Sequence, residues 1–566
     1  MISNGERLLF LPLGGAGEIG MNLNLYGLAG KWIMVDLGIS FADDHLPGVD
    51  IIMPDPSFIV DRREDLLGLV LTHAHEDHLG AVPFLWPELR CPVFATPFSA
   101  AVLRRKLQRD GAAPGISDLD LTEVPLGGNL TLGPFDIEFI SLTHSIPEPN
   151  ALAIRTTLGT VLHTGDWKID PDPLVGSTTD EEALRRYGDE GVLAMVCDST
   201  NVFRNGESGS EAEVRACLTD LVSQNNSGYV AISGFASNVA RIDTVAAAAD
   251  ANGRSVAIAG RSLWRILEAA KETGYIDADR QFLSDREAAN LPPEKVLYLC
   301  TGSQGEKNAA LARIATDSHP HITLGRGDVV IFSSKIIPGN EKAISRLQNL
   351  LVYKGVEVVT EADHFVHVSG HPCRDELARM YQWVRPQIAV PVHGEARHLI
   401  EHGRLAGELQ VPTAVVIENG DMLCLAPGAP KLVDQVPYGR LMADGNALVN
   451  VASPVMQARR RLMHNGAAFV TLVVDADNNL VADPAVTAQG LFHPKDFSAD
   501  GDAGLVAAAA AVRTAFTTFT ERSRKDDSVI REAVRQIVVR SLRESRMKRP
   551  VVEVQIIRLE SRVEPS

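Results

Sequence analysis

Residues 72–80 read Thr-His-Ala-His-Glu-Asp-His-Leu-Gly, so His73, His75, Asp77 and His78 place four metal-capable side chains within six positions. Imidazole and carboxylate are the ligands that Zn2+ or Mn2+ takes where thiolates are absent. Four such groups on one short loop can hardly all face the same ion. His73 and His75, two apart on extended chain, can face one metal; Asp77 and His78, past a turn, can face a second. Two ions need more donors, and His144, Asp166 and His393 stand at comparable positions. The assignment that follows puts one metal on His73, His75 and His144 and the other on Asp77, His78 and His393. Asp166 is shared, because a carboxylate can bridge two ions and a neutral imidazole does not. Two divalent ions so held can lower the pKa of water and drive hydrolysis of a phosphate or acyl bond.

The elements that must position these groups are short apolar runs. LLGLVL (Leu66–Leu71) feeds the histidine loop, FDIEFISLT (Phe135–Thr143) leads to His144, TVLHT (Thr160–Thr164) to Asp166, and IAVPV (Ile388–Val392) to His393. Each is predicted as a strand that exits into a loop, the usual address of reactive groups in layered α/β sheets. The stretch between Asp166 and His393 is as long as a complete small domain. Its pattern alternates: helix Glu211–Gln224, strand Tyr229–Phe235, helix Asn238–Ala251, strand Ser255–Gly260, helix Ser262–Thr273. Strands Val296–Gly302 and Asp328–Ser334, helix Asn340–Lys354 and strand Glu357–Ala362 follow. Strands spaced by helices predict a mostly parallel sheet covered on both faces.

The loop HxHxDH with a distant His, Asp and His resembles the metallo-β-lactamase superfamily, and the long insert resembles its β-CASP group. Within that group the chain is most similar to the ribonuclease J family. The strings are LGGAGEIGMN (Leu13–Asn22), VDLGISF (Val35–Phe41), THAHEDHLGAVPFL (Thr72–Leu85), CDSTN (Cys197–Asn201) and GFASNVARI (Gly234–Ile242). TGSQGE (Thr301–Glu306), IPGNE (Ile337–Glu341) and HVSGHP (His367–Pro372) complete the set, which runs to about residue 400. The resemblance implies an α/β fold: a metallo-β-lactamase αββα sandwich with an inserted β-CASP α/β domain and a small α+β C-terminal domain. Boundaries are expected at 1–210 and 363–440 for the sandwich, 211–362 for the insert, 441–460 for a linker and 461–566 for the last domain.

The resemblance also implies a chemistry: a 5′-to-3′ exonuclease of RNA preferring 5′-monophosphate ends, with endonuclease activity, dependent on two divalent ions, Zn2+ and/or Mn2+. The family's acidic motif falls on Asp198, its second motif on His371 and its third on His393. His371 is then the candidate proton donor to the leaving 3′-oxygen, with Asp198 orienting its ring. A pocket for the 5′-phosphate is expected from Ser369, Gly370 and His371, with Ser237 and Asn238 opposite; His367 and Val368 complete the candidate RNA-binding set. His367 either lines the phosphate path or simply packs. LGGAGEIG lacks the Lys-Ser/Thr ending of a P-loop and reads as a tight turn between strands. Alternatives are a nuclease of the same fold acting on DNA or tRNA precursors and a metallohydrolase of lactams or thioesters; the last leaves the insert unexplained.

Composition sets the remaining bounds. The chain of 566 residues is 45% hydrophobic and 22% charged, ordinary for a protein of about three domains. Cys91, Cys197, Cys217, Cys300, Cys373 and Cys424 form no CxxC pair, so neither a zinc ribbon nor a disulfide framework is indicated, and a reducing cytoplasm fits. No signal peptide or membrane span is read, so no membrane is expected. The formal charge of −18 argues against general coating of RNA, which leaves a confined channel with local cations. Arg104-Arg105-Lys106 and Arg261, Arg265, Lys271 are the candidate basic clusters. Past VPTAVVIENGDMLCLAPG (Val411–Gly428), read as two strands about a turn at Asn419-Gly420, a hinge is expected over Pro437–Asn446. Then come strands Ala467–Val474 and Asn479–Ala482 as a hairpin, helices Gly504–Arg522 and Ser528–Ser545, and strand Val551–Leu559. The second helix carries apolar residues on one face that need a partner, either its own small sheet or another subunit; this end is read as a homodimer or tetramer module, and partners in RNA decay are also expected.

Overall fold

A computed structural model describes residues 6–43, 45–108, 116–491, 502–546 and 548–559. Two compact units emerge. The first runs up to Phe41 and takes in Ile51–Leu448; the second joins Ala42–Asp50 to the residues from Val449 onward.

In the first unit two sheets face one another. The eight-stranded sheet runs in the order Lys431–Gln435, Asp421–Ala426, Leu8–Gly14, Leu23–Leu28, Lys31–Val35, Leu66–Val70, Val93–Ala95 and Leu121–Glu123. The seven-stranded sheet runs Asn129–Leu132, Phe135–Ser141, Asn150–Thr156, Gly159–His163, Ala194–Asp198, Ile388–Val392 and Thr413–Ala414. Period-two alternation makes this packing possible, since successive side chains leave opposite faces of a strand. Leu8, Phe10, Ile33 and Val35 from one sheet meet Phe135, Ile137, Phe139, Ile154 and Val390 from the other in one buried cluster. The outer face of the second sheet is covered by the helices Glu181–Glu190, Arg374–Val384 and Ala396–Glu408, through Leu184, Tyr187, Leu377, Met380 and Leu405. This is the expected αββα sandwich.

The insert is a third sheet, ordered Leu283–Ser284, Ser255–Ala259, Val296–Cys300, Val230–Ser233, Val329–Phe332 and Glu357–Val359, with every pairing parallel. Its helix Glu211–Gln224 starts where Ser210 and Glu213 form a reciprocal capping box. The helix Ala310–Ala315 and the turn of helix Asp285–Ala288, absent from the sequence reading, also belong here. Both are too short to show a 3.6-residue period.

Two strands flank the turn at Asn419-Gly420 as expected, and they join different sheets: Thr413–Ala414 pairs with Ile388–Val392, and Asp421–Ala426 with Leu8–Gly14. The expected hinge over Pro437–Asn446 and linker over 441–460 are ordered instead. Arg440–Asp444 pairs antiparallel with Ile51–Pro54, Ala447–Asn450 follows it in the same sheet, and the helix Pro454–Asn465 comes next. Polar, turn-rich sequence gives no sign of these strands, because pairing with a distant strand leaves no local trace.

In the second unit Ala467–Val474 pairs antiparallel with Ala485–Gln489, not with Asn479–Ala482, and parallel with Val551–Arg558. Asn479–Ala482 meets the end of the central strand through the bridge between Val474 and Leu480 and the hydrogen bond that Val481 N donates to Val473 O at 2.9 Å, without forming a strand of the sheet. Ala468, Val470, Leu472 and Val474 point to one side, where they bury Ala508, Val512 and Phe516 of the helix Ala503–Thr518 and Ile530, Val534, Val538 and Leu542 of the helix Asp527–Arg546. The spacing of three to four residues along each helix is what one apolar stripe requires. No helix among the described residues is long and apolar enough to cross a membrane.

Candidate metal centre

The strand Leu66–Val70 ends at the histidine loop, and a one-turn helix, Glu76–Leu79, begins with His75 at its N-cap. The chain therefore turns between the two ligand pairs. His73 and His75 fall on the extended side; Asp77 and His78 fall on the helical side. The loop is clamped from the neighbouring strand end, where Leu37 N donates to His78 O at 2.6 Å and Ile39 N to Glu76 O at 2.9 Å. Gly38 lies so close that a Cβ would sit 1.6 Å from the Asp77 carbonyl oxygen, so no other residue fits.

All seven expected ligands come together. His73, His75 and His144 form one group and Asp77, His78, Asp166 and His393 another, with the donor atoms of each group within 4.8 Å of one another. In the first group His73 Nε2 stands 3.0 Å from His75 Nδ1, which is 2.9 Å from His144 Nε2. In the second, His78 Nε2 is 3.1 Å from Asp166 Oδ2 and 3.6 Å from Asp77 Oδ2, and His393 Nε2 is 3.6 Å from Asp77 Oδ2. Asp166 Oδ2 also reaches to within 4.0 Å of His144 Nε2, which places this carboxylate between the two groups.

The donor set fits divalent cations on two counts. Asp166 Oδ1 and His393 Nε2 are buried without a hydrogen-bond partner, a costly state for polar atoms unless something else satisfies them. The electrostatics agree. Burial, reinforced by the neighbouring imidazoles, pushes His73 and His144 well below the usual histidine range, and burial takes His75 down to about 4, so all three offer lone pairs. Burial would lower His78 as well, but Asp166, Asp77 and Asp36 overrule it and hold the ring well above its ordinary value. The negative charge that favours an imidazolium there also favours a metal ion. Asp166 is held well below the carboxylate range against its burial by His393, His78 and His371.

Groups behind the ligands fix their tautomers. Asp36, at the end of Lys31–Val35, accepts from His78 Nδ1 at 2.7 Å and from Thr72 N and Oγ1 at 2.8 Å. His144 Nδ1 donates to the carbonyl of Gly370, which leaves Nε2 for a metal. A Cβ on Gly370 would stand 2.6 Å from His144 Cε1, so the expected phosphate-pocket glycine also serves the metal cluster. Asp36 was missed in the sequence reading; its only signal was an acid at a strand end inside VDLGISF.

Asp198 and His371 also meet. His371 Nδ1 donates to Asp198 Oδ2 at 2.8 Å, while Asp198 Oδ1 takes the Thr200 backbone N–H at 2.8 Å. Burial alone would lower His371; the carboxylates of Asp198 and Asp166 raise it to about 9. The same nitrogen lies 3.8 Å from Asp166 Oδ2, at the edge of the cluster.

The rest of the expected RNA-binding set divides. Ser369 Oγ accepts from Asn201 Nδ2 at 2.7 Å, and Asn201 Oδ1 accepts from Lys335 Nζ at 3.2 Å, so a hydroxyl, an amide and a cation stand in line. His367 is lowered well below its usual range by burial and by Arg241, Lys335, Lys168 and Arg204, and its Nδ1 has no partner. Val368 is packed in the core. Ser237 lies half-buried in a turn. Asn238 is committed to the fold: it caps the helix Val239–Ala251 through Arg241 N, and its amide donates to Glu211. The basic clusters also need correction. Arg104 pairs with Glu123, Arg105 with Glu272 and Lys106 with Glu76, each at 2.5 Å, and Lys271 is spent on the carbonyls of Ala278 and Arg280.

Comparison with known proteins gives matches over most of the chain. Residues 22–187 match the family described as Metallo-beta-lactamase superfamily, 227–351 Ribonuclease J, beta-CASP domain, 355–416 Zn-dependent metallo-hydrolase RNA specificity domain, and 454–559 Ribonuclease J C-terminal domain. The chain is 44% identical to a Ribonuclease J of Sinorhizobium meliloti over 99% of its own length and 98% of that protein. It is 37% identical to a Ribonuclease J of Mycolicibacterium smegmatis, over 97% and 96% of the two chains. It is 33% identical to Ribonuclease J2 of Bacillus subtilis, over 97% and 98%. A crystal structure of a protein of unknown function from Enterococcus faecalis V583, 16% identical, superposes with a TM-score of 0.50 over 74% of this chain and 99% of that one; it bears on the fold alone.

Proposed function

The chain belongs to the ribonuclease J family, and from that premise we propose that it hydrolyses RNA as a metal-dependent 5′-to-3′ exonuclease preferring 5′-monophosphate ends, with endonuclease activity. The observation that carries this reading is the convergence of His73, His75, Asp77, His78, His144, Asp166 and His393 beside the paired Asp198 and His371. Those seven would hold two divalent cations, Zn2+ and/or Mn2+. When bound, such cations supply Lewis acidity towards water and neutralise charge on a phosphate.

The chain's own groups do the rest. Asp198 accepts a hydrogen bond from His371 Nδ1–H and so leaves Nε2 for the substrate. With its pKa at about 9, His371 is protonated at neutral pH and can give a proton to the leaving 3′-oxygen. Ser369, Asn201 and Lys335 are suited to hold a 5′-monophosphate, with His367 as a wall near the cations Lys335 and Arg204. The local cations explain how a chain of charge −18 can grip a polyanion, because the grip is confined to this channel.

Exposed apolar groups support a homodimer through the C-terminal unit. Phe469 and Ile557 are each more than 40% exposed on the sheet face opposite its core, and Val473 lies beside Ile557 in register. We place the enzyme in the cytoplasm, acting in RNA maturation and decay. The test is to incubate the protein and Mn2+ or Zn2+ with end-labelled single-stranded RNA bearing 5′-monophosphate, 5′-triphosphate or 5′-hydroxyl, alongside DNA. Mononucleotides released from the monophosphate form are expected; preference for DNA, or hydrolysis untouched by chelation, would overturn the reading.

A further inference from the structure

The glycine-rich stretch Leu13–Asn22 reads as a turn, yet it ends on a side chain that touches both elements of the acidic half of the metal cluster. Asn22 is 3% exposed. Its Nδ2 donates to the Asp77 carbonyl at 3.0 Å and lies 3.1 Å from His78 Nε2; its Oδ1 lies 3.2 Å from His393 Nδ1. A backbone carbonyl only accepts, so the Asp77 contact fixes the amide with its nitrogen towards the loop and its oxygen towards His393. An amide oxygen also only accepts, so His393 Nδ1 must carry the proton. The lone pair is then confined to His393 Nε2, the buried atom without a hydrogen-bond partner. Asp166 Oδ1 lies 3.3 Å from the same Nδ1 without being a partner to it.

The backbone of this stretch grips His393 as well. His393 N donates to Gly15 O at 2.6 Å, and Ala16–Gly17 pairs in parallel with Gly394–Glu395. His393 itself has φ 52°, a conformation that needs such support. At Gly15 a Cβ would stand 2.3 Å from Asn22 Oδ1, so the glycine makes room for this side chain.

We propose that Asn22 is a positioning residue: it selects the His393 tautomer and thereby sets the affinity of the acidic metal site, while the three-histidine site is independent of it. The inference rests on the two-cation reading above. Titration of the metal-free full-length protein with Mn2+ by calorimetry tests it, with His393→Ala and His75→Ala marking which class of site is which. Asn22→Leu keeps the volume but neither donates nor accepts, and should weaken the His393-dependent class roughly 10- to 100-fold. The His75-dependent class should not change. Asn22→Asp keeps the acceptor for His393 but replaces the donor to Asp77 O by a carboxylate oxygen, so the His393-dependent class should bind more tightly than in Asn22→Leu, with the His75-dependent class unchanged. If Asn22→Leu does not fold, Asn22→Ser, too short to reach His393, takes its place. Equal weakening of both classes, no weakening, or loss of the class in Asn22→Asp would overturn the inference. Wild-type protein that binds a single Mn2+ would overturn the two-cation reading along with it, whereas two wild-type classes unmoved by Asn22→Leu would overturn this inference alone.

Discussion

Around His73, His75 and His144 the chain presents three neutral imidazoles, with Asp166 as a carboxylate 4.0 Å from His144 Nε2. Around His78 and His393 it presents the carboxylates of Asp77 and Asp166, with Asp36 behind, and His78 is held protonated above its ordinary range. Donors of the same types, on one loop and past three further strand ends, thus make two unlike groups. One is ready to bind a cation with no proton to lose near neutrality. The other must exchange a proton for its cation. Burial acts on both; the nearby carboxylates decide that His78 is raised while His73, His75 and His144 are lowered.

Replacing the group that both halves share should have the largest effect. Asp166→Ala is expected to cost at least about 10³-fold in RNA cleavage and to lower bound metal in both classes, checked by initial rates and elemental analysis. His371→Ala belongs to neither half and should cost roughly 10²- to 10⁴-fold in turnover with metal content unchanged; metal loss would show that the ring is a ligand. Asp36→Ala removes the acceptor of His78 Nδ1 directly and reaches His73 only through Thr72, so the acidic class should weaken roughly 10- to 100-fold in a Mn2+ titration, more than the three-histidine class.

Acidity separates the halves most gently. His78 is raised, so its proton competes with the cation throughout the neutral range, and affinity of the acidic class should fall about tenfold per unit as pH drops from 7 to 6. His75, lowered to about 4, stays neutral over that span, so its class should change little. Titrations at the two pH values decide it; equal pH dependence in both classes would mean that the contrast is lost once ions bind.

Much of this was legible along the chain. Ile388–Val392, Glu211–Gln224 and Ala467–Val474 stand where apolar runs and caps place them. The seven donors were readable because they cluster on the loop and short helix after one strand and just past the ends of three others, where a residue's type survives as a signal. What was not legible was long-range pairing: Asp421–Ala426 crosses to the first strand, and Ala485–Gln489 displaces the nearer Asn479–Ala482 as hairpin partner. Asn238, read as a phosphate contact, is a helix cap, since the same amide chemistry suits either task. The Arg104-Arg105-Lys106 cluster is cancelled by Glu123, Glu272 and Glu76, acids remote in the chain.

Local order and donor identity were thus set by the sequence itself: period-two runs make strands, and imidazoles with carboxylates make a metal site. Only the tertiary structure decided which nitrogen of each histidine is free, and that Asp36 and Asn22 stand behind the donors. Those choices depend on distances between residues far apart in the chain, such as Asn22 and His393, and on the low dielectric of a shared core, which no stretch of sequence creates alone.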